Sequence, residues 1–96
     1  MRMLLRVHLD PVPGSAALRS GAMQKAIGAF SEKYKPEASY FTVDGGGRTA
    51  FFVLDMQASH QMPAIAEIFF HIGAEVTLAP CMTPEDLQTG IAAIDL

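Results

Sequence analysis

Over the first nine residues apolar and polar side chains alternate, with Met3, Leu5, Val7 and Leu9 on one parity and Leu4, Arg6 and His8 on the other. Successive residues of a strand point to opposite faces, so this pattern predicts a strand from Met1 to Leu9 with one purely apolar face. Asp10-Pro11-Val12-Pro13-Gly14 is expected to end it as a turn, since two prolines remove ladder donors and glycine relaxes the backbone. The hydrophobic period then lengthens: Leu18, Met23, Ile27, Phe30 and Tyr34 fall near helical spacing, with Ser15 as the expected N-cap. Gly21 and Gly28 each weaken a helix interior by about 1 kcal/mol relative to alanine. The helix start is therefore left open around Gly21. Pro36 disfavours helical geometry at Lys35 and supplies the stop.

The clearest unit spans residues 37 to 56. Ala38 to Val43 and Arg48 to Met56 are β-prone, aromatic-rich runs separated by Asp44-Gly45-Gly46-Gly47, whose glycines take the positive φ angles of a tight reversal. This predicts a hairpin. In its second strand Ala50, Phe52, Leu54 and Met56 share the face expected in the core, and Thr49, Phe51, Val53 and Asp55 share the other.

Ser59 is the expected cap of a second helix, with Pro63 tolerated in the first turn, where amide hydrogens lack intrahelical acceptors. Met62, Ile65, Ile68, Phe69 and Ile72 form its apolar stripe, and Gly73 its stop. Ala74 to Pro80 alternates again, Val76 and Leu78 against Glu75 and Thr77. Thr83-Pro84-Glu85-Asp86 has the features of a helix start: a threonine cap, proline at the first helical position, and acids at the positive end of the dipole. Leu87, Ile91 and Ile94 give that last helix an apolar edge.

The order β-α-β-β-α-β plus a C-terminal helix predicts an α+β domain spanning residues 1–96. Right-handed crossovers give an antiparallel four-stranded sheet in the order 4-1-3-2, with the two long helices on one face. The opposite face is expected to carry Leu4, Arg6, His8, Tyr40, Thr42, Phe51, Val53, Glu75 and Thr77. Several of these are too apolar to be left in water, and a second copy of the chain is the economical cover, because a two-fold dimer uses one surface twice.

Composition agrees. Half of the 96 residues are hydrophobic, 18% are charged and the net charge is −3, which leaves little polar surface to wrap a monomer. Nucleic acid is not an expected partner, because phosphate binding draws on clustered Lys and Arg, and here the seven are scattered from Arg2 to Arg48. The lone Cys81 makes neither an internal disulfide nor a four-cysteine zinc site, consistent with a reducing cytoplasm. No leader peptide is expected in the interrupted first nine residues. No apolar run approaches the roughly 20 residues of a membrane span.

The element order, the Asp44-Gly45-Gly46-Gly47-Arg48 hairpin, and the Pro63-Ala64-Ile65-Ala66-Glu67 and Thr83-Pro84-Glu85-Asp86-Leu87 segments together resemble the ferredoxin-like proteins that pair face to face, the dimeric α/β-barrel superfamily. The resemblance spans essentially the whole chain and is closest to that superfamily's small members of no known activity. Similar barrels serve as cofactor-independent monooxygenases, lactone isomerases, haem enzymes, ligand-sensing domains and proteins without known activity, so the fold transfers no reaction. The haem members are generally larger, and no cofactor is expected.

The best candidate constellation is His8 with Arg6 and Glu75, an imidazole beside a cation and a carboxylate on a sheltered sheet, suited to general acid/base work. The plainer reading makes Arg6 and Glu75 a cross-strand ion pair and His8 a rim residue whose loss costs little folding energy. Tyr40 either orients a ligand or packs at a subunit interface. Arg6, His8, Tyr40, Phe51 and Glu75 are thus the expected lining of a small-molecule site, with His8 as the one weak catalytic candidate, and a void of about 300 Å³ beside His8 would favour ligand binding. Asp44-Gly45-Gly46-Gly47 joins two strands and lacks the Lys-Ser/Thr of a phosphate loop, which makes it a turn. His60 and His71 lie roughly 16 Å apart along one helix and share no metal. There is no Asn for an acylphosphatase-like Arg and Asn pair, and no Cys-x-x-Cys for a metal carrier. A homodimeric binder of a small apolar molecule is the leading expectation. The alternatives are an isomerase- or monooxygenase-type enzyme without cofactor, a purely structural module, and a ligand-sensing domain.

Overall fold

In the computed structural model, which describes residues 1–96, four strands form one antiparallel sheet in the order β2-β3-β1-β4. They are β1 (Arg2–Leu9), β2 (Ala38–Asp44), β3 (Gly47–Asp55) and β4 (Glu75–Pro80). This is the expected 4-1-3-2 order read from the other edge. The connectivity is that of a ferredoxin-like βαββαβ sheet with an added helix, and β1 lies at its centre because its apolar parity is the most continuous. Met3, Leu5, Val7 and Leu9 are all buried, opposite Leu54, Phe52, Ala50 and Arg48 of β3.

Helices cover that face. In α2 (Ala22–Tyr34) Ala26 and Phe30 are buried, and in α3 (Met62–Phe70) Ile65 and Phe69 are buried. Phe30 meets Phe52 at 4.8 Å and Phe69 at 5.4 Å between ring centroids, tilted in both cases, an arrangement that suits the ring quadrupoles. This aromatic knot joins both helices to the central sheet.

Two local expectations are corrected. Asp10 to Gly14 is not a loop: Pro11 opens a separate helix, α1 (Pro11–Ser20), with Asp10 at its N-cap. Proline is compatible with a first helical turn because the amide hydrogens there have no intrahelical acceptor to lose. The long helical stretch is then cut at Gly21, whose φ of 83° is left-handed and serves as the C-cap of α1 and the N-cap of α2. Likewise Ser59 does not cap α3. A single 3-10 turn (Ser59–Gln61) precedes it, and Gln61 Oε1 accepts from the amides of Gln57 at 2.9 Å and Ala58 at 3.2 Å.

The hairpin turn follows the glycine prediction, with Gly45 and Gly46 at φ of 60° and 75°. At the other end of the chain α4 (Pro84–Ala92) begins as expected. Thr83 Oγ1 accepts from the Asp86 amide at 3.1 Å, and Asp86 Oδ2 accepts from the Thr83 amide at 3.0 Å. Yet every residue of α4 is exposed, and Leu87, Ile91 and Ile94 are each about half exposed. The radius of gyration is 15.2 Å. A compact chain of this length has about 12.5 Å, so the hairpin and the C-terminal arm reach beyond the core.

Candidate functional site

The open face assembles in cross-strand rows. Arg6 lies opposite Phe51 on one side and Thr77 on the other, Phe51 lies opposite Tyr40, and His8 lies between Thr49 and Glu75. The nine residues expected there therefore do share one face. Tyr40 is 70% exposed and Leu4 37% exposed, while Phe51 and Val53 are half-buried. No helix of the same chain lies over them.

His8 departs from its expected rim position: only 4% of it is exposed. Its Nδ1 is 2.9 Å from Thr49 Oγ1 and its Nε2 is 3.0 Å from Asp10 Oδ1. Thr49 Oγ1 is also within donating distance of the carbonyls of Asp44, at 3.2 Å, and Gly47, at 3.3 Å. A neutral ring satisfies these atoms with Nε2–H donating to Asp10 and Nδ1 accepting from Thr49. A protonated ring donates at both nitrogens while the Thr49 hydroxyl donates to a carbonyl. Either way both nitrogens are engaged by the chain itself.

The glycine turn closes the remaining side. A Cβ on Gly47 would overlap the Leu9 carbonyl oxygen and stand 2.8 Å from His8 Cε1, so only glycine lets the hairpin lie this close to the ring. His8 is thereby a peg that fastens the β2–β3 turn to β1. The expected pair of Arg6 with Glu75 is also corrected. Arg6 Nη2 reaches Asp44 Oδ2 at 3.4 Å, because the curled hairpin brings that carboxylate over the sheet, and Glu75 remains exposed opposite His8.

Within the single chain a cavity is present on the other side of the sheet from His8. A cavity of about 180 Å³ lies between the sheet and α2 and α3, walled by Val7, Leu9, Ile27, Ala50, Phe69 and Ile72. Met23 and, from the edge strand, Phe41 complete its apolar lining, and Thr42, Arg48 and Thr49 are its polar residues. None of Arg6, His8, Tyr40, Phe51 and Glu75 lines it. A broader depression of about 410 Å³ between α1 and His71 is shallow and open to solvent.

Arg48, which lines the cavity, is not among the residues expected at a site, although the sequence carries a signal for it. It stands on the same parity as Ala50, Phe52 and Leu54, a cation at the head of a run whose other members are core. The structure keeps that parity, with Arg48 half-buried opposite Leu9. Elsewhere, no group of three His, Cys, Asp or Glu side chains is placed to hold a metal ion. No helix is long and apolar enough to cross a membrane.

No protein-family model matches the chain, and no curated protein matches it. Among solved structures it is similar to a crystal structure described as a "putative antibiotic biosynthesis monooxygenase" from Deinococcus radiodurans. The identity is 11%, the match covers 86% of this chain and 94% of that one, and the TM-score is 0.45. No residue role passes from that protein to this one at such a distance.

Proposed function

We propose that the protein binds a small apolar molecule in the cavity between sheet and helices and works as a homodimer joined through its open sheet face. The observation that carries the binding role is the cavity, a volume of about 180 Å³ with eight hydrophobic residues among its eleven. Enclosed apolar cavities of about 150 Å³ take up benzene-sized molecules, and this one, partly open to solvent, has a comparable volume. None of the lining side chains is a carboxylate, imidazole, thiol or phenol, which favours binding and orienting over acid–base catalysis. In the dimer Arg6, Tyr40, Phe51 and Glu75 would meet the partner's sheet, and Leu4 and Val53 would supply further apolar contact. Membership of the dimeric α/β-barrel superfamily is part of the same reading.

Benzene titrated into labelled protein tests the cavity. Saturable shifts are expected at the amides of Ala50, Phe69 and Ile72, and Ala50→Leu, which fills the space, should weaken them about tenfold. Shifts that are absent, or that survive Ala50→Leu undiminished, would overturn the binding role.

A further inference from the structure

Arg48 is the only charged residue lining the cavity, and no carboxylate lies within 4.0 Å of it. The other arginines of the sheet are paired, Arg2 with Glu37 at 2.6 Å and Arg6 with Asp44 at 3.4 Å. Arg48 instead has one long hydrogen bond, from Nη1 to Ser15 Oγ at 3.4 Å. Its guanidinium occupies a notch that α1 leaves open: a Cβ at buried Gly14 would come within 3.0 Å of Nη1. Arg48 as a residue is half-buried, and its guanidinium offers five donors in a planar fork that matches a carboxylate and here lacks one.

From this we infer that the ligand is an amphipathic carboxylate the size of a single ring or a short branched chain, with its apolar body in the cavity and its carboxylate on Arg48. The inference rests on the proposed binding role of the cavity and adds its chemical class. Size sets the body, since about 180 Å³ admits little more than one ring. Charge sets the head, since a carboxylate satisfies the fork with two charge-assisted bonds. The plain alternative is that the arginine only lays its methylene stem along the wall and keeps its head in solvent.

Phenylacetate and its neutral isostere phenylacetamide distinguish these cases, titrated against the full-length protein with amide shifts recorded. Phenylacetate is expected to bind about tenfold more tightly, the size of one net charge-assisted contact. Arg48→Gln should bring phenylacetate down to the level of phenylacetamide and leave the amide's affinity unchanged, and Arg48→Lys should keep part of the preference. Equal binding of the two probes by the wild type would overturn the inference and leave the cavity reading standing. Binding of neither, together with no benzene response, would overturn both. A preference for phenylacetate that persists in Arg48→Gln, or shifts confined to surface residues, would place the anion elsewhere and also overturn the inference. The wild-type comparison and Arg48→Lys decide the matter if Arg48→Gln does not fold.

Discussion

His8 carries two hydrogen bonds in a position that is only 4% exposed, and its ring fills the space beneath the glycine turn. Truncation to alanine removes both bonds and opens a gap, while the Thr49 hydroxyl keeps the Asp44 and Gly47 carbonyls. His8→Ala is therefore expected to cost about 2 to 3 kcal/mol in urea denaturation. A loss below about 0.5 kcal/mol, the level of an ordinary surface change, would mean that the ring is not a peg. The burial was not legible in the sequence for a specific reason. Alternation assigns a side chain to a face of the sheet, and His8 was correctly assigned, but it says nothing about what lies over that face. The cover comes from the curl of a hairpin nearly 40 residues downstream. The same curl redirects Arg6 from Glu75 to Asp44, a partner that strand periodicity alone does not select.

At the level of elements, legibility followed the strength of the local signal. The alternation of Ala50, Phe52 and Leu54, the glycine turn and the Thr83 cap each pointed to one structure, and each is present. Pro11 and Pro13 pointed to two, because proline both ends strands and opens helices, and the helix-opening role prevails at α1. In α4 the capping bonds have an electrostatic consequence. The Thr83 amide, followed by the Thr83 hydroxyl contact, holds the Asp86 carboxyl below its ordinary range. A depressed folded-state pKa contributes stability that is fully present above the unfolded value, about 3.9, and is lost as pH falls through the folded one. The Asp86 carboxyl, followed by NMR, is thus expected to titrate below that value, and the amide shift of Thr83 should move with it. Titration at the ordinary value would show that the cap is not formed in solution.

For the whole molecule, two surfaces remain without cover: the open sheet face and the apolar edge of α4. A helix of nine residues is marginal in water on its own, so an α4 exposed along its whole length is itself a reason to expect a partner. Replacing Phe51 with Asp places a charge at the middle of the sheet face, opposite Tyr40 and Arg6. Light scattering is expected to report a dimer for the wild type and a monomer for Phe51→Asp, since Arg6 is already engaged by Asp44 and a further carboxylate buried at the interface is costly. A variant that remains dimeric would move the interface elsewhere, with α4 as the next surface to alter.

The edge position of β2 bears on more than assembly. Phe41 and Thr42, which close one side of the cavity, belong to a strand held by a single ladder, and Phe41 is 59% exposed. Segments with few buried contacts open at far lower free energy than the core. If the cavity takes a guest, that guest would come and go by fraying of that one ribbon while the aromatic knot stays shut, and its residence time would be set by the hairpin's outer margin, not by the stability of the domain.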